Sequence, residues 1–553
     1  MLLDDSSKSE ALIEYLTSVF TTDDGTLPIF PRRVAPNVNL SEVHFSPTAI
    51  FKHLKNLKSK HTRDPNGFTT SFLKKLDYVL IKPLCILFSF IFNNGSIPDD
   101  WRTANVMPIF KKGLSSCLSN YRPISFTSIF CKLFEQVIKE CMLSYLCTHK
   151  LITRSQHGFL SMRSTSSQLL ETINDWTLSI YNHKVVDAIY FDFAKAFDSV
   201  SHPKLLHKLA SYGVSGNLER IIAAFLSNRT QRVTLPDGFS TSCPVISGVP
   251  QGSVLGPLLF ILFINDVADI FDKKACIKMY ADDLKIYLEI ESNADCFVLQ
   301  KGIDKLVDWS NTWQLSLATS KCMHMRIGLN RCTMPAKFCI NSQLLESVSG
   351  LRDLGVNVDS HLNFVSHINQ IAAKAHVRSS QILRCFLSKD VATLVKAFVI
   401  YVRPILDYCT TVWSPCAKTH IDKIESVQRM FTKRLSGMRK FSYDERLKQI
   451  NLDRLELRRI HTDIITCYKI LHGFIDVNPD HFFTLATHTQ TRGHSCKLFH
   501  PVSRINVRAN VFSIRVIPVW NKLPEYVVSS NSLSNFISLI KTVDFGYALK
   551  GSH

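Results

Sequence analysis

Apolar positions recur at helical spacing through residues 46–150, broken at Asp64-Pro65-Asn66-Gly67 and at Pro98-Asp99-Asp100, residue types that interrupt a helix. Ahead of them, Glu10–Phe20 carries a short helical pattern, and the polar, Pro-containing stretch Asp23–Asn39 predicts a linker. From 185 to 290 the period changes. Val185–Phe193 is a mostly apolar run of β-type residues and predicts a buried strand. Ile277–Tyr280 and Leu284–Ile290 flank a three-residue turn and predict a hairpin. Val254–Ile264 (VLGPLLFILFI) predicts a buried helix and is too short for a bilayer, which takes ~20 residues. Beyond about 365 the pattern is mainly helical and basic, and from about 476 strand-like pieces alternate with polar loops.

Composition narrows the class. Of 553 residues, 46% are hydrophobic and 20% charged, which excludes a disordered chain, a collagen or a coiled coil. At ~150 residues per domain the length predicts three or four domains. A formal charge of +19 favours a polyanionic partner. The charge is uneven: residues 51–150 hold 15 basic and 6 acidic side chains and residues 401–450 hold 10 and 5, whereas residues 251–300 hold 4 and 8. Two basic regions around an acidic one fit a cleft whose carboxylates hold metal and whose walls hold phosphates, and also fit ordinary solvated faces. The N-terminus, Met1-Leu2-Leu3-Asp4-Asp5, has neither the basic nor the apolar part of a signal peptide. The 16 cysteines form no CxxC pair, so reduced thiols and a location in the cytosol or nucleus are expected, without secretion or a membrane span. His488, His494, Cys496 and His500 cluster near the end, but their spacing matches no standard zinc finger.

Three segments carry candidate chemistry. In Ile189-Tyr190-Phe191-Asp192-Phe193-Ala194-Lys195-Ala196-Phe197-Asp198, an apolar strand ends in a carboxylate and a helix-compatible stretch comes next. A strand end fixes the position of a metal ligand; taken alone, Asp192 also reads as an N-cap. Tyr280-Ala281-Asp282-Asp283 places two like charges in a tight turn, which a cation neutralises or water screens. Ser247-Gly248-Val249-Pro250-Gln251-Gly252-Ser253 leaves bare backbone beside a polar amide, so that a flat base or a sugar can come close; it also reads as a structural turn.

In this order and spacing the segments resemble motifs A, B and C of reverse transcriptases. The flanks narrow the resemblance to non-LTR retrotransposon (LINE) enzymes of the jockey and CR1-like kind. Trp101-Arg102, Pro108–Gly113, Asn120–Ser125, Gln156-His157-Gly158-Phe159 and Arg163-Ser164-Thr165 resemble that family's fingers. Asp353-Leu354-Gly355-Val356 resembles its primer-grip hairpin, Tyr401–Tyr408 with Trp413 its thumb, and Val519–Pro524 its C-terminal tail. The resemblance covers roughly residues 10–545. It departs at Leu160, where the family has Arg, and at Ala318-Thr319, where it has an Asn-Pro type pair.

The resemblance implies an α+β right-hand polymerase fold. It has an N-terminal linker remnant (1–45), fingers and a palm with a ferredoxin-like antiparallel sheet (46–345), a primer grip and helical thumb (346–475), and a C-terminal tail (476–553). The implied activity is RNA-directed DNA polymerisation without an endonuclease domain. The alternative is a catalytically silent nucleic-acid-binding remnant of such an element. Asp192 and Asp282, with the Phe193 carbonyl, are expected to hold two Mg²⁺ ions, for which Mn²⁺ can substitute, and Asp283 to support them. Lys111 and Arg122 are expected at the nucleotide's phosphates, with Gln251 and Gly252 against nucleotide and template base. Phe197 is expected at the sugar, and Lys321 as proton donor to pyrophosphate. Lys433 and Arg434 are expected along the duplex phosphates. The partners so implied are an RNA template, a DNA primer and dNTPs.

Overall fold

The computed structural model describes residues 4–328, 337–486 and 494–551. Strands β1 (Thr103–Phe110) and β2 (Tyr121–Phe126) pair antiparallel, with Ile109 opposite Arg122. They lie inside the stretch whose periodicity predicts helices alone. Ala104 and Val106 are buried, but Met107, Ile109 and Phe110 are exposed, so the strand lacks a clean alternation. Strand β3 (Val185–Phe191) belongs to a second sheet. Strands β4 (Arg229–Leu235), β5 (Gly238–Phe239) and β6 (Cys243–Val245) return to the first, where β4 runs parallel to β1. The helix Asp5–Ser18 lies on that sheet through Leu12, Ile13 and Leu16, which pack with Val106 and Val233. It starts earlier than the pattern predicts because Asp4 caps it, accepting the Ser7 N–H at 2.7 Å.

The second sheet comprises β3, β7 (Cys276–Tyr280), β8 (Asp283–Ile290) and β9 (Met323–Ile327), with β10 (Cys339–Ile340) and β11 (Gln343–Leu344) forming a separate small hairpin and β12 (Glu346–Ser347) adding at the edge. Its order is β12-β9-β3-β8-β7, with β3 in the middle. The two-residue period of β3 serves two cores. Ile189 and Phe191 face one, shared with the helices His202–Ser211, Gly256–Ile264 and Asn293–Thr312. Val186 and Ala188 face the other, shared with the helix Thr165–Tyr181 and with helices beyond residue 365. A strand buried on both faces reads as a near-continuous apolar run, here interrupted only by Asp187.

The stretch expected as a linker is docked along the fold. Phe30 meets the Trp313 ring edge-on at 5.4 Å, the Arg33 N–H reaches the Ser211 carbonyl at 2.8 Å, and Asp24 lies 2.9 Å from the fully buried Lys204 ammonium. After a hairpin of β13 (Gly350–Asp353) and β14 (Val356–Asp359), the chain is helical through Val365–Cys385, Val391–Tyr401, Lys418–Lys433 and Leu455–Leu471. The last segment, expected to mix strand-like pieces with loops, forms short helices instead, among them Ile517–Trp520 and Leu533–Ile540. Pro518 and Pro524 stand at the starts of two of these helices, and Trp520 and Phe536 bury their rings. Among the described residues, Asp77–Asn94 is the one helix long and apolar enough to cross a membrane. It holds Lys82 and Pro83 and packs into the first core through Leu84, Phe88, Ile91 and Phe92.

Inside β3, Asp187 is fully buried and bidentate with Arg326 at 2.7 and 2.8 Å, and His324 Nε2 lies 3.0 Å away. Burial opposes its charge, but Arg326 and His324 outweigh it and hold the carboxyl below its ordinary value. Replacing Asp187 by Ala removes the buried carboxylate that Arg326 and His324 share and should lower stability by about 3–5 kcal/mol at pH 7, read as a lower urea midpoint. A depressed carboxyl stabilises the fold above its unfolded pKa of about 4 and loses that contribution as pH falls through the folded value. The gap between wild type and variant should therefore narrow in acid; a gap constant down to pH 3 would contradict the assignment.

Candidate active site

Asp192 comes directly after the last residue of β3, and its main chain is pinned from the side. The Ala318 N–H bonds its carbonyl at 2.7 Å, Ala194 N–H bonds the Ser316 carbonyl at 2.8 Å, and Phe193 pairs with Leu317. The stretch after it, expected as a helix, is a turn, and the next helix begins at His202. Its groups are taken up elsewhere: the Gly248 N–H bonds the Val200 carbonyl at 2.8 Å, and the Val249 N–H bonds that of Phe197 at 2.7 Å. Within the segment the Asp198 and Ser199 N–H groups turn back onto the Lys195 carbonyl at 2.8 and 3.1 Å, a single turn that is not continued.

The β7–β8 hairpin turns in two residues rather than three, because Asp283 joins the ladder opposite Tyr280. Ala281 takes a left-handed φ of 56° and puts Asp282 at the tip. Burial and then the charge of Asp192 push the Asp282 carboxyl up, against Arg122 and Lys111, which draw it down. Asp283 reaches solvent along one side, so water screens part of the push. Even so, the packed tip and then the charges of Asp282, Asp353 and Asp192 carry its carboxyl up to about 7, with Lys285 opposing. The carboxylates expected to act together are thus near enough to disturb one another.

The loop Ser247–Ser253 closes one side. Gly252, at φ 116°, passes so near β2 that a Cβ there would lie 2.5 Å from the Ser125 carbonyl oxygen, so only glycine fits. The Ser125 N–H returns to the Gln251 carbonyl at 2.7 Å, and Gln251 Nε2 donates to Asp198 Oδ1 at 2.9 Å. Phe197 is half-buried, stacked on Phe260 with centroids 4.3 Å apart and edge-on to Phe159 at 6.0 Å. Lys111, just beyond the end of β1, and Arg122, on β2, are exposed. The packing around its stem and then the charges of Arg122, Lys195 and Lys321 lower the Lys111 ammonium. Lys321 Nζ stands 3.2 Å from Asp192 Oδ2.

Lys433 and Arg434 sit on a separate helix. Both are exposed, and Arg434 borders a groove of about 580 Å³ lined also by His376, Arg384 and Met430. Of the four residues clustered near the end, His488 lies outside the described residues, while His494 is buried and bonded to the Trp520 carbonyl at 3.0 Å. Three contributors have no role assigned by sequence pattern. Asp198, at the end of the first motif, anchors Gln251. Glu135 is fully buried and accepts the Val254 and Leu255 N–H groups at 2.7 and 2.8 Å, seating the loop on the helix Ile129–Thr148. Gln156 reaches the hairpin tip. A glutamate among apolar helix positions was the available signal for Glu135; for the other two the partner is distant in sequence.

Residues 109–358 match the family model described as reverse transcriptase (RNA-dependent DNA polymerase). The chain is 28% identical over 366 residues to the RNA-directed DNA polymerase from mobile element jockey of Drosophila melanogaster, covering 64% of this chain and 40% of that protein. Against the jockey protein of Drosophila funebris it is 28% identical over 413 residues, covering 72% and 44%. Against the probable RNA-directed DNA polymerase from transposon BS of Drosophila melanogaster it is 26% identical over 440 residues, covering 76% and 46%. The chain spans less than half the length of these relatives. Residues 109–358 are therefore a reverse transcriptase domain of the non-LTR retrotransposon type.

Proposed function

We propose that the chain is an RNA-directed DNA polymerase that extends a DNA primer on an RNA template from dNTPs, as part of a non-LTR retrotransposon. The observation that carries this reading is the meeting of Asp192 and Asp282 at the end of the second sheet, within electrostatic reach of Lys111 and Arg122. In this reading residues 46–345 are fingers and palm, 346–475 primer grip and thumb, and 476–553 a tail behind the thumb. Residues 1–45 then brace the fingers and palm.

The residues fit divalent metal. Among the described residues no three His, Cys, Asp or Glu side chains converge to hold an ion alone, so the donor set is Asp192, Asp282 and the Phe193 carbonyl. Hard oxygen donors, two of them carboxylates close enough that the charge of Asp192 raises the proton affinity of Asp282, suit Mg²⁺ or Mn²⁺. Bound there, such ions acidify the primer 3′-hydroxyl and neutralise charge on the triphosphate. The remaining work falls to the chain. The 3′-oxygen bonds to the α-phosphorus as the α–β bridging bond breaks, and pyrophosphate leaves. Lys111 and Arg122 hold the β- and γ-phosphates, Arg122 with a fork that matches two oxygens. Gln251, fixed by Asp198, offers its surface to nucleotide and template base beside the bare Gly252 backbone. Lys321, beside Asp192, is placed to give pyrophosphate a proton. Phe197, propped on Phe260, fills the space of a ribose 2′-hydroxyl.

In primer extension on poly(rA)/oligo(dT), Asp192→Asn or Asp282→Asn should abolish synthesis while duplex binding persists, because charge is lost without a change of shape. Extension by either variant within about tenfold of the wild type would remove that residue from the metal set. A wild type that binds and never extends returns the alternative, a silent binding remnant.

Sugar choice should depend on Phe197. An unpaired, desolvated hydroxyl costs ~1–3 kcal/mol, and overlap with the ring adds to it. Phe197→Val should raise rNTP over dNTP incorporation in competition assays, with some loss of stability from the emptied stack on Phe260. An unchanged ratio in a folded variant takes Phe197 out of the sugar site.

Duplex binding should weaken steeply with salt, by ~10³–10⁵-fold between 50 and 200 mM if ~6–10 phosphates are neutralised. Replacing Lys433 and Arg434 by Gln should flatten the log–log slope by about two without altering sequence preference. An unchanged slope would leave both charges facing solvent only.

A further inference from the structure

Residues 155–159 border the hairpin that carries Asp282 and Asp283, and the proposed polymerase chemistry makes no use of them. The Met279 N–H bonds the Ser155 carbonyl at 2.8 Å, and the His157 N–H bonds the Met279 carbonyl at 2.8 Å, so the segment adds itself to β7. Between those bonds Gln156 is fully buried and turns its side chain to the tip. One atom there does two jobs: Gln156 Oε1 accepts the Ala281 N–H at 2.9 Å and the Gly158 N–H at 2.7 Å.

The surroundings leave this contact little freedom. Ala281 holds its left-handed φ without being glycine, a conformation that persists only where neighbours over-determine it. A Cβ on residue 158 would lie 2.4 Å from the Ala281 nitrogen, so the approach requires glycine. His157 anchors the segment from behind, its Nδ1 3.0 Å from Ser167 Oγ and its Nε2 3.3 Å from Glu171, which in turn meets Lys278 of β7 at 2.5 Å. Phe159 then places its ring edge-on to Phe197. A single five-residue stretch thus touches both the carboxylate hairpin and the aromatic residue after Asp192.

We infer that Gln156 is a positioning residue, whose amide oxygen sets the turn at Ala281 and thereby the place of the Asp282 carboxylate relative to Asp192. The functional half of this inference rests on the reading of Asp192 and Asp282 as metal ligands; the clamp itself does not. Gln156 Nε2 has no partner among the described residues, so the side chain serves here as an acceptor. Gln156→Met removes that acceptor at nearly constant volume, and Gln156→Asn withdraws it by one methylene.

Hydrogen exchange resolved to single amides, by fragmentation mass spectrometry on the full chain, tests the clamp without turnover. Expected in folded Gln156→Met is faster exchange at Ala281 and Gly158, with Met279 and His157 still protected. Equal exchange at all four amides in variant and wild type, or equal acceleration at all four, would overturn the clamp. The second outcome would make Gln156 a general support of the edge. Should Gln156→Met not fold, Gln156→Asn is judged by the same four amides. Mn²⁺ titration then tests the consequence: a loss of about 10–100-fold in affinity is expected when a residue that orients a metal ligand is removed, with primer–template binding unchanged. Unaltered Mn²⁺ affinity in a variant whose Ala281 amide has opened would overturn the positioning role. A wild type that binds no Mn²⁺ would overturn the reading of the site and that role with it, whatever the amides show.

Discussion

Like-charge repulsion among carboxylates at one sheet end is the constraint on which the other features depend. Asp192 follows β3, and Asp282 and Asp283 lie at the adjacent hairpin. Beyond the effect of burial, the charge of Asp192 raises the hold of Asp282 on its proton, and the charges of Asp282 and Asp192 raise that of Asp283. Groups that repel do not stay together unless the backbone beneath them is immovable. β3 supplies that rigidity by being buried on both faces, since a one-residue slip would send every side chain to the wrong core. Residues 316–318 pin the main chain on one side of Asp192, and Gln156 pins the tip on the other. The repulsion therefore remains in the folded chain as raised proton affinity, which a bound cation relieves.

The facing wall repeats the arrangement with opposite sign. Packing around its stem and then the charges of Arg122, Lys195 and Lys321 lower the Lys111 ammonium, while Lys111 and Arg122 stabilise the charge on Asp282. Each half repels itself and attracts the other. A ligand bearing several phosphates with divalent metal matches both halves at once: the metal answers the carboxylates and the phosphates answer the cations. Neither half alone has that complementarity, and the separation of signs along the sequence is its one-dimensional trace.

That trace, with the strand, the hairpin and the apolar helix at 256–264, was legible because each rests on local pattern. The three carboxylates were legible because a strand end and a tight turn are local too. Legibility failed where a partner far along the chain decides the outcome. The stretch at Asp23–Asn39 reads as a linker because its polar residues look solvated, yet Asp24 answers the buried Lys204. Residues 194–198 suit a helix, but the carbonyls of Phe197 and Asp198 accept from a loop some fifty residues later. β1 hides its period because its outer half is exposed. Gln156 stands in a stretch that resembles the family's fingers, but its bond to the hairpin tip carries no local signal, since Ala281 lies 125 positions away.

One buried cluster joins the second sheet to the β13–β14 hairpin. Lys285, two residues beyond Asp283, is ion-paired with Asp353 of β13, and Tyr190, the cross-strand partner of Lys285, adds its hydroxyl to Asp353 at 3.1 Å. Both charges are almost wholly removed from water, and burial lowers the Lys285 ammonium against the attraction of Asp353. An apolar pair of the same volume would hold two hairpins together as firmly. It would not fix their angle, because dispersion has no preferred direction, whereas a carboxylate shared by an ammonium and a phenol does. The β13–β14 hairpin is therefore oriented by the same strand, β8, that begins with Asp283. Asp353 also adds to the charges raising Asp283, so the orientation of one hairpin and the proton affinity of the other have a common source.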